Sequence, residues 1–121
     1  MTNQEALQVY QRYVDAWKPI SDAQRRSIVA EVFEDDGEYL VPAYVGGANE
    51  AVEDMERFQR EYPGAHFEVE TVSTHHEVAL FKWVLVLPDG KVTVKGHDCV
   101  RFSPAGKIAS LLTFGPGAPK S

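Results

Sequence analysis

The sequence predicts an α+β domain in which a curved antiparallel sheet packs against three helices and forms a cone. Three observations carry that prediction. Helix-spaced apolar stripes with capping residues occupy the first half of the chain. Long strand-patterned segments joined by short turns occupy the second half. One inward strand face is apolar except for a single carboxylate. Runs of helices followed by runs of strands give α+β layering, with the helices on one face of the sheet.

In "EALQVYQRYVDAW", residues Ala6, Leu7, Tyr10, Tyr13, Val14 and Trp17 recur at helical spacing and make one stripe. Pro19 ends that helix. Ser21, with Gln24 three residues on, forms a capping-box pattern for a second helix, "DAQRRSIVAEVF". That helix is expected to bury Ile28, Val29, Val32 and Phe33 and to stop at Asp36-Gly37, with Gly37 as a left-handed cap. "EYLVPAYV" reads as a short strand that Pro42 confines to an edge or an end. A glycine turn and a cap at Asn49 then open a third helix, whose apolar positions are Val52, Met55, Phe58 and Tyr62 and which Pro63-Gly64 closes.

Strands are expected near 66–74, 77–87, 91–103 and 106–114, with "LPDGKV" and "SPAGKI" as hairpin connections. Such long strands imply a curved sheet. A curved sheet with helices across its mouth encloses an apolar pocket. The tail from about 115 to 121 reads as loose.

The 121 residues fit a single domain, 1–121, and the net charge is −6. The acidic balance and the absence of basic runs argue against nucleic acid and anionic membranes as partners. The lone Cys99, the polar N-terminus and the lack of a long apolar run point to a cytoplasmic protein. The sequence offers no metal site and no cofactor motif. Adjacent His75 and His76 diverge on a strand, "FEDDGE" lacks the spacing of a calcium loop, and Gly46-Gly47 lacks that of a phosphate loop. Both alternating sets of "EVALFKWVLVL" are apolar, whereas an antiparallel strand usually leaves one face polar. The simplest cover for the outer face is a second copy of the chain, so a homodimer is expected. Coverage by the chain's own tail is the other possibility.

Val94, Gly96, Asp98, Val100 and Phe102 share one strand face. A lone acid there is costly unless something uses or satisfies it. Asp98 is therefore either a working group or a buried acid satisfied by a tyrosine or a backbone amide. Cys99 and His97 point to the opposite face, and Cys99 has no base beside it.

This order of elements resembles the nuclear transport factor 2-like superfamily, which includes the SnoaL-like proteins. "QRYV" at 11–14 and "DCVRFSPAGKI" at 98–108 resemble ketosteroid isomerase. The resemblance implies an isomerase, cyclase or dehydratase type of proton transfer on a small apolar carbonyl ligand. Tyr13 and a protonated Asp98 would stabilise an enolate, a scheme the same isomerases illustrate. Trp17, Val41, Phe81, Trp83, Val100 and Phe102 would line the pocket. The isomerases' proton-shuttling Asp falls at Val41, just before Pro42, and valine accepts no proton. Glu38, His75 and His76 are the replacement bases on offer. Cyclases of the superfamily move the proton with the inward acid itself, here Asp98. A non-catalytic ligand-binding or dimerisation domain is the alternative function.

Overall fold

The computed structural model describes residues 1–115. Three helices, α1 (Asn3–Asp15), α2 (Asp22–Val32) and α3 (Ala48–Glu61), pack on a curved, unclosed six-strand sheet. The strands are β1 (Phe33–Val41), β2 (Tyr44–Gly46), β3 (His66–His75), β4 (Val78–Val86), β5 (Val92–Phe102) and β6 (Ile108–Phe114). Their order across the sheet is β2-β1-β6-β5-β4-β3. The predicted antiparallel meander is therefore present, from β3 to β6. The expectation of a loose tail lies outside the described residues from position 116 onward.

Capping boxes open two helices, of which the one on α2 was expected from the sequence. Thr2 with Glu5 and Ser21 with Gln24 form complete capping boxes on α1 and α2. The third cap differs from the expectation. Gly47, not Asn49, precedes α3, and its N–H donates to Glu50 Oε1 at 2.6 Å. Arg25 holds the α1–α2 connection. It is buried, and its guanidinium donates to the carbonyls of Ala16, Lys18 and Ile20.

The segment "FEDDGEYLV" corrects the sequence reading most. It is not a helix end and a short edge strand but one nine-residue strand, β1, which pairs parallel with β6. Gly37 is no left-handed cap. It lies inside β1, where a Cβ would come within 2.8 Å of Phe33 Cδ1 and 3.1 Å of the Ile108 carbonyl oxygen. The β1–β6 register slips between Phe33 and Glu38, which bends the strand. Further slips occur in the β3–β4, β4–β5 and β5–β6 pairs, and together they curl the sheet around the helices. Pro42 sits in the turn between β1 and β2.

Period-two alternation places the predicted face of β5 inward: Gly96, Asp98, Val100 and Phe102 are all buried. On β4, Ala79, Phe81, Trp83 and Leu85 are buried too. The outer set of β4 is divided. Val84 and Val86 are buried, whereas Leu80 is 47% exposed, and Phe114 on β6 is 53% exposed.

Candidate functional site

A partly open cavity of about 150 Å³ lies between α1 and the concave face of the sheet. Its wall comprises Tyr10, Tyr13, Val14 and Trp17 from α1 and its end, Tyr39 from β1, and Phe67, Trp83, Asp98 and Thr113 from β3 to β6. The site thus exists only where the first helix meets five strands' worth of inward side chains. The α1 stripe supplies its residues at three- and four-residue intervals, so all of them fall on one helix face.

Asp98 is 5% exposed, and both of its oxygens accept hydrogen bonds. Tyr10 Oη donates to Oδ2 at 2.6 Å, and Trp83 Nε1 donates to Oδ1 at 3.2 Å. Thr113, the cross-strand neighbour on β6, lies beside the carboxyl group. Burial disfavours the charged form and lifts Asp98 from an ordinary 3.8 to about 6, while the polar side chains of Tyr10, Thr113 and Trp83 oppose that rise. A carboxyl group poised near 6 and facing an apolar cavity can gain or lose a proton near neutral pH.

Trp83 reaches Asp98 because of a glycine. A Cβ on Gly96 would come within 2.2 Å of Trp83 Cζ2, so the indole lies flat against the Gly96 backbone.

The phenols of the cavity differ in what they offer a ligand. Tyr10 is committed to Asp98 and stacks on Phe81 with ring centroids 3.8 Å apart. Tyr13 is buried, with the Trp17 ring edge-on to it at a centroid distance of 6.4 Å. Burial, with the nearby Asp98 charge, raises Tyr13 well above the ordinary phenol value, so it keeps its proton. Tyr39 Oη donates to Asp54 Oδ2 at 2.8 Å.

Tyr13, Trp17, Trp83 and Asp98 come together as expected from the sequence, but four lining residues do not. Phe81, Val100 and Phe102 are fully packed core side chains behind the wall. Val41 lies in a separate, open depression with Pro42, Tyr44, Asp54 and Arg57, which shares only Trp17 with the cavity. The phenol that bonds Asp98 is Tyr10 rather than Tyr13. None of the three replacement bases reaches the cavity. Glu38 is exposed on β1, and His75 and His76 are exposed beside the β3–β4 turn, with their Nδ1 atoms 3.2 Å apart. Sequence reasoning missed Tyr10, Val14, Tyr39, Phe67 and Thr113 as wall residues. Tyr10 was signalled by its place in the α1 stripe, one turn before Tyr13.

Among the described residues, no group of three or more His, Cys, Asp or Glu side chains could hold a metal ion, and no helix is long and apolar enough to cross a membrane.

In fold, the chain is similar to a candidate isomerase of the SnoaL-like family from Agrobacterium tumefaciens. Identity is 27%, the TM-score is 0.84, and the match covers 94% of this chain and 99% of that one. A candidate SnoaL-like polyketide cyclase from Jannaschia matches at 14% identity and TM-score 0.74, over 94% of this chain and 87% of that one. A candidate hydroxylase from Streptomyces galilaeus matches at 17% identity and TM-score 0.68, over 94% and 80% of the two chains. No curated protein matches the sequence. The SnoaL-like domain family matches residues 10–111, from the tyrosine that holds Asp98 to the strand that flanks it, and the chain belongs to that family.

Proposed function

We propose that the chain catalyses proton transfer on a small, largely apolar carbonyl compound, with Asp98 as the group that moves the proton. The observation that carries this reading is the buried Asp98 carboxyl, lifted to about 6 at the wall of an apolar cavity. Because the Tyr10 and Trp83 donors already point at its two oxygens, Asp98 acts as an acceptor rather than as the neutral donor of an enolate-stabilising pair. Tyr13 takes the donor role alone, donating a hydrogen bond to the ligand's carbonyl oxygen as negative charge builds there. The absence of a carboxylate at Val41 then matters little. A cavity of about 150 Å³ takes a molecule about the size of benzene. The space beside Asp98 therefore fits one ring or its open-chain equivalent.

Isomerisation of 3-cyclohexenone to 2-cyclohexenone, followed by ultraviolet absorbance, tests the proposal. The wild-type chain should accelerate it, and Asp98→Asn should lower the rate on the order of 10²- to 10⁴-fold. No acceleration, or an unchanged rate in Asp98→Asn, would overturn the reading. The occupied oxygens of Asp98 favour one competing reading, a ligand-binding module, in which Asp98→Asn changes affinity without any turnover to lose.

The homodimer is proposed for the outer sheet face, where Leu80 aligns with Cys99 and Leu112 across three strands. Light scattering should report a dimer that Leu80→Glu converts to a monomer. A monomeric wild type would remove this proposal.

A further inference from the structure

Asp54 on α3 is a second carboxylate tied to the cavity, and the proton-transfer reading leaves it unused. Its side chain is 14% exposed and faces the open depression beside Val41. Three donors converge on it. Tyr39 Oη and Tyr44 Oη both donate to Oδ2, at 2.8 and 2.7 Å, and Arg57 Nη1 donates to Oδ1 at 2.9 Å. A carboxylate only accepts, so the Tyr39 proton is committed to Asp54, while Tyr44 Oη also lies 3.4 Å from the Glu50 carbonyl oxygen.

The consequence falls on Tyr39. Its side chain is 2% exposed and lines the cavity, while its hydroxyl proton is directed to Asp54. Burial is the main cause holding the Tyr39 phenol far above its ordinary value, so the proton stays on Tyr39. A phenol oxygen whose single proton is fixed elsewhere can only accept from what sits beside it. Tyr13 is the opposite case. Among the described residues no acceptor takes its proton, which is free for a ligand at the cavity wall. The cavity therefore offers one donor, Tyr13, and one neutral acceptor, Tyr39, in addition to Asp98.

We propose that Tyr39, oriented by Asp54, is an acceptor subsite for a ligand hydroxyl, so the substrate class is a one-ring hydroxy ketone rather than a bare ketone. The ligand's carbonyl oxygen accepts from Tyr13 Oη, and its hydroxyl donates to Tyr39 Oη. Asp54 is a positioning residue, because it acts only by holding the Tyr39 proton. The proposal rests on the reading of the cavity as a carbonyl site, but it concerns binding and needs no turnover.

Calorimetric binding of cyclohexanone, 4-hydroxycyclohexanone and 4-methoxycyclohexanone to the whole chain tests it. The hydroxy ketone should bind on the order of 5-fold tighter than cyclohexanone, the yield of one net hydrogen bond. The methoxy ketone sets a lone pair against the Tyr39 lone pair and should bind more weakly than cyclohexanone. In Tyr39→Phe the ratio of hydroxy-ketone to cyclohexanone affinity should fall to about one, because the acceptor oxygen is gone. Equal binding of the hydroxy and methoxy ketones, or a hydroxyl preference that survives Tyr39→Phe, would overturn the subsite alone. Failure of all three ketones to bind would overturn the carbonyl-site reading and the subsite with it. The ketone series separates the outcomes in the wild type, so the test does not depend on the variant folding.

Discussion

Asp98→Asn should melt at a higher temperature than the wild type at pH 7.5, even as it loses proton-transfer activity. The reason lies in the direction of the Asp98 shift. Burial raises its value in the folded chain to about 6, above the ordinary 3.8 that the unfolded chain shows. Below about pH 4 the group is neutral in both states, and its burial carries no charge penalty. Between pH 4 and 6 the unfolded chain ionises while the folded chain keeps its proton, so folding stability falls as pH rises. Above 6 the loss is complete and amounts to about 3 kcal/mol.

Asparagine has no charge to bury. Its carbonyl can accept from Trp83, and its amide can donate to a Tyr10 hydroxyl that turns to accept. The variant should therefore gain about 5–10 °C at pH 7.5 and little at pH 4. Calorimetry across pH 4–8 checks this. An equal loss of melting temperature at both ends would mean that the charge is not the cost. A gain in stability with a loss of rate is the pattern expected of a working carboxyl kept in an unfavourable place.

Gly96→Ala is the second large effect. The added methyl would lie 2.2, 2.6 and 2.7 Å from three carbons of the Trp83 ring, and a rigid indole cannot bend away. Trp83 must shift, and with it the hydrogen bond to Asp98 Oδ1. Overpacking of this kind costs about 1–3 kcal/mol. The melting temperature should drop by about 5–10 °C, and the tryptophan signal in near-ultraviolet circular dichroism should change with it. An unchanged spectrum and melting temperature would show that the sheet opens at Gly96 to admit the methyl. Gly96 thus belongs to the site although it contributes no side chain.

Much of this was legible from local pattern. The α1 stripe, the Ser21 capping box and the β5 alternation are read directly from periods of 3.6 and 2, and each placed its residues on the correct face. The lone acid in the β5 face announced the site. What the sequence hid depends on long-range pairing. "FEDDGE" has the charge of a solvated helix end, yet β6 recruits it into the sheet, an override of local propensity by tertiary contact. Tyr10 and Tyr13 both lie on the inward side of α1. Which of them meets Asp98 is fixed by how α1 seats on β4, where Tyr10 stacks on Phe81. The roles of Tyr39 and Asp54 were hidden for a related reason, since the helix and strand that join them meet only in the folded chain. Phe81, Val100 and Phe102 have the right facing and the wrong depth, and alternation carries no information about depth.

The parallel pairing of β1 with β6 also bears on how the chain is made. Until β6 exists, β1 has only the three residues of β2 as a sheet partner. The whole β3–β5 meander lies between the two strands in sequence, so their union is a high-contact-order event that follows the local hairpins. Synthesis proceeds from the N-terminus, and β6 leaves the ribosome after the other described elements. Thr113, part of the wall beside Asp98, arrives with it. A nascent chain carries its helices and most of its sheet while the cavity is still unwalled on one side, and the site is finished only when β6 joins.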